Sequence, residues 1–219
     1  AEPEESAKAA EAVDEDEPDG RAGVLFDMDG TLCLSDLTHF VAFQQFCAAR
    51  GMTLTQDDYD TKVHGKHNSE IMPLLFGELT AEESQRLADE KEATYRALVS
   101  SEGVVAVPGA VEFVNFCRTE LGLPVGCVTN APRANAEVVL QALGLSEAFG
   151  VVIIGDECAR PKPAPEPYTA AAEALGIDLA HTIVFEDSRS GVRSALDAGV
   201  RLVVGIESSL TTEQLTEAG

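Results

Sequence analysis

The chain has 219 residues, 45% of them hydrophobic, enough to build one buried α/β core with a small insertion. Asp and Glu number 38 against 15 Lys and Arg, a net charge of −23, and so acidic a surface repels nucleic acid and anionic lipid. No apolar stretch is long enough for a membrane span.

Residues 1–21 are mostly Ala, Glu, Asp and Pro without an apolar period, the composition of a disordered acidic tail. They lack the basic, Ser-rich character of a transit peptide. A first strand is expected over 24–28. It runs Val24-Leu25-Phe26 into two acids spaced i, i+2, Asp27 and Asp29, followed by Gly30 and Thr31. On a strand such a pair shares one side, so both carboxylates emerge together where the strand ends. They can serve as nucleophile, general acid/base and cation ligands. An EF-hand loop starting at Asp27 would need Gly at its sixth position and Glu at its twelfth; Leu32 and Thr38 stand there instead. A plain Asp-Gly-Thr turn stays open on these residues alone.

From about 36 to 105 the pattern is helical and contains no strand. Phe40, Val41, Phe43 and Phe46 mark one apolar face, Ile71, Leu74 and Leu75 a short second helix, and Leu87, Tyr95, Leu98 and Val99 the stripe of a longer one over 81–99. Pro108-Gly109 then restarts the fold. Helices over 110–121, 133–143, 166–175 and 190–197 alternate with strands over 125–129, 151–154, 182–186 and 201–205. Strands this continuously β-branched imply a parallel sheet buried on both faces, and ligands of such sheets sit beyond the carboxyl ends of the strands.

Three of those ends carry polar groups. Thr129-Asn130 can hold a phosphate oxygen with a hydroxyl and backbone N–H groups, although strands often end this way. Lys162 stands between Pro161 and Pro163 on a stiff backbone, in what could equally be a surface turn. Glu186-Asp187-Ser188 delivers a second acidic pair, in a chain where exposed acids are common. The five cysteines, Cys33, Cys47, Cys117, Cys127 and Cys158, are odd in number and scattered. They read as free thiols of a reducing compartment, cytoplasmic or the plastid stroma after removal of a transit peptide.

Taken in order, Asp27-x-Asp29-Gly30-Thr31, Thr129-Asn130, Pro161-Lys162-Pro163 and Glu186-Asp187-Ser188 resemble the four-part signature of the haloacid dehalogenase superfamily of phosphotransferases. The likeness runs from Gly23 to Ile206. Asp29, which the dehalogenase branch lacks, points to a phosphatase or mutase. Asp36 with His39, the run Gly65–Glu70, the run Asp89–Arg96 and Thr129–Arg133 are similar to plant-type broad-specificity sugar-phosphate phosphatases. That group is itself similar to β-phosphoglucomutase and the phosphoglycolate phosphatases.

The resemblance implies a Rossmann-like parallel core over 22–35 and 106–219, with residues 36–105 inserted as an all-α cap. Relatives usually continue past the fifth strand into another strand and helix, so it also implies a shortened C-terminus. Its chemistry is hydrolysis of small phosphomonoesters, sugar phosphates first, through an aspartyl-phosphate. Asp27 is then the nucleophile and Asp29 the general acid/base. Lys162 and Thr129 bind phosphate oxygens with help from Asn130. Mg²⁺ is held by Asp27, Glu186, Asp187 and the backbone carbonyl of Asp29. His39, Lys66, His67, Asn68 and Arg133 are expected to face the substrate. The alternative is a β-phosphoglucomutase-like phosphomutase, which the related mutase's Arg in place of Asn68 disfavours. The expected partner is a small phosphate ester, with no nucleic acid and no membrane, and the expected assembly a monomer or weak dimer.

Overall fold

The computed structural model describes residues 20–219, so the acidic segment 1–19 lies outside the described residues. Strand β1 (Gly23–Phe26) opens the core. Helices α1 (Asp36–Ala48), α2 (Gln56–Lys62), α3 (Asn68–Phe76) and α4 (Ala81–Glu102) follow before the chain returns to the sheet. Then come α5 (Ala110–Thr119), β2 (Val125–Thr129), α6 (Arg133–Ala142), β3 (Val151–Ile154), α7 (Glu166–Leu175), β4 (Thr182–Glu186), α8 (Arg189–Ala198), β5 (Leu202–Gly205) and α9 (Thr212–Thr216).

The sheet is wholly parallel, in the order β3-β2-β1-β4-β5. Its faces follow from strand alternation. Phe26, Cys127 and Ile154 pack with α5 and α6, while Leu25, Val128 and Val184 pack with Tyr168 and Ala171 of α7 and Ala195 of α8. The central strands β1 and β2 are buried throughout, and β4 is buried or half-buried along its length. Coverage falls off toward the edges, where β3 is mostly half-buried and β5 partly exposed. The central strands accordingly read as continuous apolar runs rather than alternating ones. Among the described residues no helix is long and apolar enough to cross a membrane.

Two helices escape the apolar pattern. Helix α2 buries one large residue, Tyr59, and its signal is the capping box in which Thr55 accepts from the Asp58 N–H and Asp58 bonds back. Helix α9 starts with a similar box between Thr211 and Gln214. The first strand is also shorter than expected. It ends at Phe26, and Asp27 only extends the ladder by donating its N–H to the Phe185 carbonyl at 3.0 Å.

The helical insertion has its own small core, built on Phe43, Phe46, Tyr59, Ile71, Met72 and Leu87. It is not cleanly separate from the sheet. Tyr95, Leu98 and Val99, in the second half of α4, join the main core beside Ala136, Val139 and Leu140 of α6.

Candidate active site

Because β1 is central, the ends of β1, β2 and β4 lie side by side, and the loop after β3 reaches in with Lys162, so the four sequence segments meet in one place. Lys162 is the centre of it. Burial works against its charge, but Asp27 and Glu186 hold its pKa well above the ordinary value. Its Nζ donates to Asp27 Oδ1 at 2.8 Å, to Glu186 Oε1 at 2.6 Å and to the Val128 carbonyl at 2.7 Å. Asp27, Glu186 and Asp187 each offer an oxygen within 4.8 Å of the others, and all three are buried. One ammonium therefore answers three carboxylates. Burial and this imbalance both act on Asp27 and Asp187. Asp27 is raised well above the usual carboxylate range by burial first and Glu186 second, with Lys162 opposing. Asp187 is raised to about 6 by burial and Glu186, against the pull of its bonds from Ser209 and Ser208.

Glu186 is the most committed of the group. Oε1 accepts from Lys162 and from the Tyr168 hydroxyl at 2.8 Å, and Oε2 accepts from the N–H of Asp187 and both the N–H and hydroxyl of Ser188. Two glycines make room for this cluster. A Cβ on Gly191 would collide with the Glu186 carboxylate, and one on Gly30, whose φ is +83°, with that of Asp187.

Asp27 Oδ2 behaves differently from Oδ1. Among the described residues no donor reaches it, and it is not sealed off from solvent. Asp29 lines the cleft with one oxygen, Oδ1, buried and unpartnered. Its carboxylate lies outside the three-carboxylate group. Burial raises its pKa, partly offset by the Ser35 hydroxyl. Thr129 is 1% exposed, and its Oγ1 accepts from the Ala131 N–H at 3.0 Å, which leaves its own hydroxyl hydrogen to donate. Asn130 braces Lys162 from both sides: Nδ2 donates to the Lys162 carbonyl and Oδ1 accepts its N–H.

A cleft of about 1570 Å³ opens above, between these strand ends and the helical insertion. Asp29, Asn130 and Lys162 line it from the sheet side, and His39, Lys66, His67 and Asn68 from the insertion. His39 stacks on Tyr95 with ring centroids 4.0 Å apart, and burial depresses its pKa to about 3, so it is a neutral imidazole. Lys66 spends its ammonium on the Thr61 carbonyl at 2.8 Å. His67 caps α3 through Ser69 and approaches Asp156 at 3.6 Å. Asn68 donates to Glu92 at 2.7 Å.

Arg133 is the expectation the structure corrects. It does not line the cleft. At the start of α6 its guanidinium turns away and grips Glu157 with two bonds of 2.7 and 2.6 Å. Lys91, Glu92 and Arg96 on α4, and Asn135 on α6, line the cleft, as do Ser208 and Ser209 beyond β5. A helical spacing puts Lys91, Glu92 and Arg96 on one side of α4, but nothing in the sequence ties them to Asn135.

This geometry has counterparts. Residues 22–199 match the family of haloacid dehalogenase-like hydrolases. The chain belongs to that family. It is 32% identical to a phosphorylated carbohydrates phosphatase of Thermotoga maritima over 202 residues, 90% of each chain. It is also 32% identical to the validoxylamine A 7'-phosphate phosphatase of Streptomyces hygroscopicus, over 89% of each. Among solved structures, a family IA hydrolase of the same superfamily from Entamoeba histolytica superimposes with a TM-score of 0.80 at 30% identity, covering 90% of this chain and 88% of that one.

Proposed function

We propose that this phosphoric monoester hydrolase is a Mg²⁺-dependent phosphatase of small sugar phosphates, working through an aspartyl-phosphate on Asp27. The observation that carries the reading is Lys162, buried between Asp27 and Glu186 with Asp187 close by, at the carboxyl ends of β1 and β4. The names of the relatives supply the substrate class, since one acts on phosphorylated carbohydrates and another on validoxylamine A 7'-phosphate.

The donor set fits Mg²⁺. It is all oxygen and short of positive charge, and burial together with the neighbouring Glu186 carboxylate pushes Asp27 and Asp187 up. Asp27, Asp187 and the backbone carbonyl of Asp29 are the ligands we assign. Glu186 joins them only at the cost of bonds it already makes, so its first duty is to fix Lys162. The ion would neutralise charge on the phosphoryl group and on Asp27 during attack.

The chain's own residues perform the rest. Asp27 Oδ2, free of hydrogen bonds, attacks phosphorus, while the Thr129 hydroxyl holds a phosphoryl oxygen and Lys162, which reaches one only by releasing its bond to the Val128 carbonyl, lends its positive charge to the phosphoryl group. Asp29, whose raised pKa favours its protonated form, gives its proton to the leaving sugar oxygen. It then takes a proton from the water that attacks the aspartyl-phosphate, releasing phosphate and restoring Asp27. Residues 36–105 act as the cap that encloses the sugar, with His39, Lys66, His67 and Asn68 facing it. A phosphomutase must also grip a second phosphate, and Asn68 already gives its amide to Glu92.

Phosphate release from hexose, pentose and triose phosphates, with Mg²⁺ and then with EDTA, tests the reading. Hydrolysis that stops with EDTA and returns with Mg²⁺ is expected. Full activity in chelated enzyme would overturn the metal assignment. Interconversion of a sugar phosphate without net phosphate release would favour the mutase.

A further inference from the structure

Glu92 ties together three elements from two parts of the fold. Its Oε1 accepts from Asn68 of α3 at 2.7 Å, and its Oε2 accepts from Asn135 of α6 at 2.6 Å. Lys91, its neighbour on α4, pairs with the same carboxylate. One turn further along α4, Arg96 donates to Asn135 Oδ1 at 2.9 Å. Both polar atoms of the Asn135 amide are therefore taken by α4. Asn135 is 1% exposed and Glu92 6%, yet both belong to the cleft wall. Helix α6 begins four residues after Thr129, so this contact joins the insertion to the segment that carries the phosphoryl-binding hydroxyl.

We infer that the Glu92–Asn135 pair is a reversible latch holding the helical insertion closed over the phosphoryl site, with Asn135 as a positioning residue. The inference rests on reading the cleft as the substrate chamber. The joint between α4 and the core has two chemically different halves. Toward the end of α4, where the chain returns to the sheet, Tyr95, Leu98 and Val99 form an apolar seam with α6. Separating that seam would expose apolar area, so it acts as the fixed stem. On the cleft side the joint is polar. Hydrogen bonds there can be exchanged for bonds to water at small net cost, and a charged acceptor makes the closed form the favoured one. A fixed apolar stem beside a polar, water-exchangeable edge is the arrangement a hinged lid requires.

A latch makes a prediction that a structural prop does not. Apparent affinity falls in proportion to the closed fraction, while turnover by the closed complex is unaltered. Asn135→Ala removes the bond across the joint and leaves Glu92 its Asn68 and Lys91 partners. It should raise KM for a hexose phosphate by about tenfold, with kcat at saturation changed less than about threefold. Asn135→Asp keeps the side chain's size and its Arg96 partner but sets a carboxylate against Glu92. It should raise KM at least as much. Hydrogen exchange of the unliganded protein supplies a readout without substrate. Amides of α3 and the first half of α4 should exchange faster in both variants, and those of β1 and β2 should not. KM within twofold of wild type in both variants, a fall in kcat alone, or uniformly faster exchange would each overturn the latch. A wild-type protein that hydrolyses no sugar phosphate would overturn the proposed function instead, and the exchange experiment would still judge the latch.

Discussion

Lys162 donates to Asp27 Oδ1 at 2.8 Å across 135 residues of sequence, and in doing so leaves Oδ2 as the open oxygen of the proposed nucleophile. The same ammonium bridges to Glu186, so one cation orients the Asp27 carboxylate and offsets the repulsion between two buried acids.

Asn in place of Asp27 removes the proposed nucleophile and one of three crowded negative charges. Asp27→Asn should abolish phosphate release. Because burial and Glu186 already disfavour the charged form of Asp27, the metal-free variant should melt no lower than wild type. Residual turnover above about a hundredth of wild type would exclude an aspartyl-phosphate on this residue.

Lys162→Ala should damage folding as well as activity. It strands the Asp27 and Glu186 carboxylates in a buried site, and loss of one partner of a buried ion pair costs about 3–5 kcal/mol. Mg²⁺ should recover part of that stability by answering the same charges. Thermal melts with and without Mg²⁺ measure both effects, and a variant as stable as wild type in EDTA would contradict the arrangement.

The Asp187 carboxyl, raised to about 6, sets two opposite pH dependences. Metal binding needs the carboxylate, so apparent Mg²⁺ affinity should fall by up to about tenfold per pH unit below 6. Without metal the sign reverses for stability. Between the ordinary carboxylate pKa of 3.8 and about 6 the folded state binds more protons than the unfolded state, so stability falls as pH rises through that window. Melts in EDTA at pH 5 and pH 7 should show the higher midpoint at pH 5. The same midpoint at both values would mean Asp187 titrates normally.

Tyr168→Phe deletes only the hydroxyl that donates to Glu186 Oε1. The loss of one bond to a charged acceptor should cost about 1.5–3 kcal/mol. Lys162 still holds the same oxygen, so KM for the phosphate ester should change little. A loss of all activity with stability intact would instead place Tyr168 in the chemistry.

Lys66→Ala should change relative kcat/KM among hexose, pentose and triose phosphates more than it changes hydrolysis of p-nitrophenyl phosphate. Lys66 lines the cleft from the insertion and touches none of the strand-end groups. An equal fall for every ester would make the residue a prop for the turn at Thr61.

The sequence by itself determined the parallel sheet and the strand-end groups. Apolar β-branched runs such as Val151–Ile154 and Thr182–Glu186 have boundaries set by their own composition, and Asp27, Thr129 and Glu186 follow from position at or just after such elements, Lys162 from the Pro-flanked loop after one. It missed α2, where a capping box rather than an apolar stripe starts the helix. Only the tertiary structure decided which charges meet. Arg133 stands four residues beyond Thr129 and was expected in the cleft, but the first turn of α6 points it at Glu157. Asn135, two residues on, faces the cleft and meets Glu92, 43 residues away. Local periodicity fixes the side of a helix on which a residue sits. What lies opposite that side depends on how distant elements pack, and a helical turn of about 100° per residue converts a shift of two positions into opposite surroundings.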